Sequence, residues 1–339
     1  MRVPVVAVAF ASLFACSPAP RSGDTTDDAA PPLPIDAPEC THDTDCPAGH
    51  ICTAGNCVLG CNTDHECGAG RSCCDHACIP TDGDPANCGG CGIACGSGGA
   101  CCTGTCSTLD TLADCGACGN ACGSGDFCDG SACQTPTFPS FCANAQVYEV
   151  FDGQSADINA AALMTSTISE NCSPSTMITT TNITNAAMFD QTTGQPLGGN
   201  GVTYVLTGGP EADKAVKYFE TTAALTHVYF AEPSSSTFAW MARGSATPVA
   251  TLAASSCSAH ADQFVVELVT DPATGTLSLI GYGICTGAGT FGAAYYYANV
   301  MLPNAMMFPD SWYVVSWADT TNDGVAGNGD TFTVLAHGM

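Results

Sequence analysis

The side chains here that are able to do chemistry are 25 cysteines, seven histidines and an Asp/Asn/Gly run near the C-terminus. That run, Asp319-Thr-Thr-Asn-Asp-Gly-Val-Ala-Gly-Asn-Gly-Asp330, places acids first, fifth and twelfth, with Gly324 sixth. Oxygen ligands at that spacing, around a glycine that allows a sharp bend, suit a Ca2+ ion. The expected ligands are Asp319, Thr321, Asp323 and Asp330; Thr321 is a poorer ligand than Asp or Asn, and Asp330 is shorter than a bidentate Glu. The alternative is a solvated turn, because Asn, Asp and Gly favour turns without metal. His260 and Asp262 follow Ser255, Ser256 and Ser258 closely, so a hydrolytic Ser-His-Asp set is conceivable. No Gly-x-Ser-x-Gly elbow supports it, and no catalytic residue is assigned. Met301, Met306 and Met307 beside Tyr295–Tyr297 read as core packing rather than a copper site. Gly208-Gly209 and Gly287-Ala-Gly289 read as tight strand-to-helix turns rather than anion cradles, because no Gly-Lys-Ser/Thr follows.

The cysteines divide sharply along the chain. Twenty lie between Cys40 and Cys133, and four follow at Cys142, Cys172, Cys257 and Cys285. A kernel Cys-x2-Gly-x2-Cys-x4-Cys occurs four times, starting at Cys46, Cys67, Cys95 and Cys122. Its glycines, Gly49, Gly70, Gly98 and Gly125, are expected at positive φ in tight turns. Two kinds of module result. Cys40, Cys46, Cys52 and Cys57 form the first copy of one kind, and Cys61, Cys67, Cys73 and Cys78 the second. The other kind adds Cys-x2-Cys upstream: Cys88, Cys91, Cys95, Cys101 and Cys106, then Cys115, Cys118, Cys122, Cys128 and Cys133. Cys74 and Cys102 are extras, each the second member of a doublet, leaving nine cysteines in the first pair of modules and eleven in the second. Both counts are odd, so full pairing within the region needs a bridge between the two kinds; Cys74 with Cys102 is the candidate. Zinc is the rival for the Cys-x2-Cys pairs, but cysteines this dense in an exported chain form disulfides.

Export is read from the N-terminus. Residues 1–15 carry one cation, Arg2, then an apolar run too short to span a bilayer, as in a signal peptide. The run ends Leu13-Phe14-Ala15-Cys16. It resembles the lipobox of bacterial lipoproteins, in which the cysteine is diacylated and becomes the mature N-terminus. Phe14 is bulkier than usual there, and Ser17 implies the outer membrane by the family's rule. The alternative is an ordinary signal peptide with Cys16 discarded. Removing Cys16 leaves 24 cysteines, an even number. Residues 16–38 follow as lipid anchor and Pro/Asp-rich tether, able to reach about 70 Å at most in polyproline geometry.

The first module kind, within residues 39–80, resembles small EGF-like or Dickkopf-type cysteine modules through its Asp43-x-Asp-Cys-Pro-x-Gly start. The second kind, within 86–134, resembles stigma-specific cysteine-rich proteins through CGGCGIAC at Cys88 and CGACGNAC at Cys115. These resemblances imply a scaffold of spacers or binding modules and no activity. The Asp319–Asp330 loop resembles EF-hand-like or thrombospondin-type calcium loops.

From residue 140 to 339 the composition turns to Ala, Thr, Val and Tyr, as in a globular domain. Val202–Thr207, a helix starting at Pro210, and Thr226–Ala231 read as a strand–helix–strand unit. Phe264–Val269 and Thr276–Tyr282 read as a hairpin, Gly289–Leu302 as a buried helix, and Trp312–Trp317 as a strand buried on both faces. A mixed α/β sheet is expected, with an all-β sandwich as the alternative. The four late cysteines are expected in two disulfides, with three pairings open.

Six Lys and Arg against 32 Asp and Glu give a formal net charge of −26. Nucleic acid is excluded as a partner, because phosphate contacts need cations. The expectation is a surface-exposed outer-membrane lipoprotein without catalysis, attached to the membrane through its lipid. It would present a binding, adhesion or structural domain to an extracellular protein or glycan. The alternative is a surface-anchored hydrolase with a catalytic C-terminal domain.

Overall fold

A computed structural model of the chain describes residues 40–47, 49–63, 67–123, 125–130, 132–138, 146–151, 155–172, 177–199 and 201–339. The expected signal peptide, Cys16, the tether and Cys142 lie outside these residues. The chain divides at Gly60 into two compact units, and each is described by itself.

The first unit contains one module. Strands β1 (His50–Thr53) and β2 (Asn56–Leu59) pair antiparallel with Cys52 opposite Cys57. A Cys-x4-Cys spacing leaves two residues for the turn when its cysteines face each other. Those residues, Ala54 and Gly55, both have positive φ, as a two-residue hairpin turn matching strand twist requires. Cys52 bridges back to Cys40 and Cys57 to Cys46.

The second unit opens with three more hairpins: β3 (Arg71–Cys74) with β4 (Ala77–Pro80), β5 (Ala100–Cys102) with β6 (Thr105–Ser107), and β7 (Phe127–Cys128) with β8 (Cys133–Gln134). Each repeats the crossed pattern: Cys61–Cys73 with Cys67–Cys78, Cys88–Cys101 with Cys95–Cys106, and Cys115–Cys128 with Cys122–Cys133. The four kernel glycines have φ between 75° and 90°, as expected.

The expected Cys74–Cys102 pairing does not form. Cys74 bridges to Cys91 and Cys102 to Cys118, so each extra cysteine is joined to the module that follows it. Strand alternation supplies the reason. Cys73 and Cys74 are neighbours on β3 and point to opposite faces, so one bridges inward and the other outward. The parity argument holds, since Cys74–Cys91 crosses between the two kinds. Backbone bonds reinforce the joints, from the Gly89 amide to the Thr81 carbonyl and from the Gly116 amide to the Leu109 carbonyl.

The C-terminal domain is the expected mixed α/β sheet. Strands β9 (Gln146–Phe151), β10 (Met177–Asn182), β11 (Val202–Thr207), β15 (Ala261–Thr270), β16 (Leu277–Gly283), β17 (Trp312–Ala318) and β18 (Thr331–Gly338) form one sheet. Its order is β10-β9-β11-β16-β15-β17-β18, parallel through β16 and antiparallel from there to β18. Helices α1 (Ser155–Asn171) and α3 (Gly287–Tyr296) cover one face over Met164, Ile168, Phe264 and Tyr297. The other face, with Tyr204, Val265 and Ile280, lies under Phe219 and Trp240. Phe219 comes from the segment following α2 (Lys214–Lys217). Trp240 comes from a three-stranded sheet of β12 (Val228–Ser234), β13 (Thr237–Ala242) and β14 (Pro248–Ala253).

That small sheet corrects the strand–helix–strand expectation. The helix starts later than expected, because Asp213 rather than the Pro210 turn caps it through the Ala215 and Val216 amides. The next strand, β12, pairs with β13 through a local hairpin instead of returning to β11. The expected hairpin, buried helix and buried strand all occur, at β15–β16, α3 and β17.

Candidate functional site

Among the described residues, every cysteine is disulfide-bonded. Sulfurs gather in threes only where bridges cross, so no thiolate is offered to zinc there. Cys257 pairs with Cys285, and Cys172 is disulfide-bonded.

The Asp319–Asp330 loop joins β17 to β18, and its acids point inward at the loop itself. Asp319 accepts the Gly324 amide at 2.7 Å and the Asn322 amide at 2.5 Å, and its Oδ2 lies 2.6 Å from His260 Nδ1. Burial opposes its ionisation, but the His260 ring and these amides hold its carboxyl far below the usual carboxylate range. Asp330 accepts the Trp317 indole N–H and the Gly327, Thr320 and Thr321 amides. Asp323 accepts the Val325 amide. The Thr321 hydroxyl donates to Asp319. These bonds engage both oxygens of Asp319 and of Asp330 and one oxygen of Asp323.

The hydrolytic set does not assemble. His260 faces Asp319, and Ser258 accepts the backbone amide of His260 rather than approaching its ring. Asp262 is buried and accepts the Gln263, Cys285 and Thr286 amides just before α3. Burial lifts its carboxyl to about 6 against the pull of those amides. Gly289 makes room for this carboxylate: a side chain there would overlap Asp262. An internal acid thus takes the place an external anion would occupy.

A buried polar centre that the sequence reading missed lies under the small sheet. Glu220 and Glu267 are both buried on the sheet face under β12–β14. Glu220 accepts the Phe230 amide at 3.0 Å and the Tyr282 hydroxyl; Glu267 accepts the His227 amide at 3.0 Å. The half-buried His227 ring lies 3.4 Å from Glu267, whose other oxygen has no partner. Arg243 binds the Glu220 and Thr226 carbonyls and lies over the Tyr229 ring. Burial lifts the Glu220 carboxyl to about 7; Glu267 adds to the rise, while Tyr282, the Phe230 amide and Arg243 oppose it. Both acids thus bond the chain at and just before β12, fixing the small sheet to the large one. One signal was present: Glu267 interrupts the apolar run Phe264–Val269, where its alternate neighbours Val265 and Val269 face the core. His227 also borders a small cleft of about 200 Å3 with Leu225 and Pro272.

Searches against protein-family models, curated proteins and solved structures find no match to this chain.

Proposed function

We propose that the chain is an exported outer-membrane lipoprotein, anchored through diacylated Cys16, that presents its α/β domain at the cell surface for non-catalytic binding or adhesion. The observation that carries this reading is the complete pairing of the described cysteines, because a reducing cytosol does not sustain such bridges. The stapled modules, in which the EGF/Dickkopf-type and stigma-specific-like resemblances lie, serve as a rigid extracellular scaffold. Commitment of both oxygens of Asp262 and of Asp319 to backbone amides favours binding over hydrolysis. Two acyl chains anchor stably where one binds only marginally.

Protease shaving of intact cells tests the display, with an epitope tag after Met339 and a periplasmic control protein. Loss of the tag with the control intact is expected. A tag protected until the outer membrane is permeabilised would replace surface display with a periplasmic role.

A further inference from the structure

We infer that the stretch around Thr103–Asp114, facing the turn between β15 and β16, is a binding trough for a neutral or amino-bearing oligosaccharide; the assignment rests on the surface-binding reading above. Two adjoining clefts of about 490 and 400 Å3 lie here and share Thr111. Each falls in the size range of small-ligand sites.

The walls are fixed before any ligand arrives. Cys102 and Cys106 line one cleft and are bridged to Cys118 and Cys95. The loop between them and the second cleft is held by bonds from the Asp114 amide to the Thr111 hydroxyl and from the Gly119 amide to Asp114 Oδ1. It opens at Leu109 with φ 60°, a left-handed conformation that is strained for a leucine. Strain of this kind is retained where the surroundings enforce it, often at ligand clamps. A rigid wall also lowers the ordering cost of binding.

The lining chemistry selects the ligand. Thr103, Thr105, Thr108 and Thr111 bring hydroxyls: those of Thr103 and Thr108 donate to the Cys102 carbonyl and to Asp110 and offer a sugar their lone pairs, while those of Thr105 and Thr111 can donate to it. Asp110, which accepts the Thr108 hydroxyl, and Asp114, whose Oδ1 accepts the Gly119 amide, bring carboxylates whose remaining lone pairs can accept from adjacent sugar hydroxyls or an ammonium group. Neither cleft is lined by Lys or Arg, and the chain carries −26, so an anionic glycan is disfavoured. Leu112, Ala113 and Pro272 supply a narrow apolar strip for a sugar ring's C–H face. A basic peptide is the rival the two carboxylates would attract, but hydroxyls outnumber them and no apolar hole waits for a side chain.

The test uses the full chain in mild detergent, with immobilised chitotetraose, its deacetylated form, maltotetraose and tetralysine as probes. Thr105→Trp fills one cleft and Ala113→Trp the other; both positions are exposed. Retention of at least one glycan is expected, at least tenfold weaker in both variants, with their melting temperatures unchanged. Retention of no glycan at millimolar density, equal retention by the variants, or retention of tetralysine alone would each overturn the trough. None of these would touch the shaving result, and a protected tag with glycan retention intact would overturn display while leaving the trough standing.

Discussion

At the scale of single residues, Glu220 has the clearest consequence for stability. Its carboxyl is lifted to about 7 when folded, above its ordinary value of 4.5. The folded chain therefore holds this proton more tightly than the unfolded chain does. Its stabilising share is full below pH 4.5, is lost as pH rises towards 7, and stays lost above. A rise of this size corresponds to roughly 3 kcal/mol. Asp262, lifted to about 6, acts in the same direction. Urea midpoints should thus fall between pH 5 and pH 8, and Glu220→Gln should flatten that fall; an unaltered slope would refute the assignment. The Asp319–Asp330 loop gives a second residue-scale prediction. Its acids already accept internal amides, so 5 mM Ca2+ should leave the melting temperature unchanged. A rise abolished by Asp323→Ala would instead establish the calcium reading. The spacing of these acids was legible in the sequence, but their orientation was not, because an Asp that caps a turn and one that binds a cation are written alike. Glu220 and Glu267 were missed for a related reason. A carboxylate reads as surface unless its amide partners are known, and these come from distant parts of the chain.

At the scale of elements, local pairings were legible and long-range ones were not. The β15–β16 hairpin, α3 and the glycine turns of the cysteine modules follow from neighbours in the chain, whereas the module hairpins themselves were not read. The docking of β12–β14 and the joints between modules depend on which face each strand turns to a partner met only on folding. Two predictions belong here. Phe138, just beyond the fourth module, is fully buried against Tyr297 and Tyr313, and the nearby Pro136 carbonyl accepts the Ser311 hydroxyl. Phe138→Ala should cost about 3–5 kcal/mol in denaturant unfolding, whereas a cost below 1 kcal/mol would mean the contact carries little. Removing the Cys74–Cys91 bridge by double serine substitution should cost about 2–4 kcal/mol. Protease cleavage should rise between Pro80 and Cys88 while the far-ultraviolet spectrum of the α/β domain is retained. Uniform loss of structure would show that the modules and the domain fold as one cooperative block.

At the scale of the whole molecule, residues 61–339, three modules and the α/β domain, fall in one compact unit. Composition marks where disulfide modules give way to a hydrophobic core, but it does not say whether the two pack together. The address of the molecule rests on its first residues. Mass spectrometry of the native N-terminal peptide should find diacylglycerol on Cys16, and an unmodified terminus further downstream would remove the anchor.

The joints between modules also amount to a grammar. The first cysteines of the last three modules stand at 61, 88 and 115, a constant step of 27 residues. The module at Cys61 has an outgoing thiol, Cys74, and no incoming one. The module at Cys88 has both, Cys91 and Cys102, while the module at Cys115 has only the incoming Cys118. In the last module Asp129 stands where the outgoing cysteine would be, so the series ends without an orphan thiol. Header, body and terminator are thereby written into the chain. Only the body can be copied: splicing in a second Cys88–Asp114 segment would lengthen the series by one unit and leave every sulfur a partner.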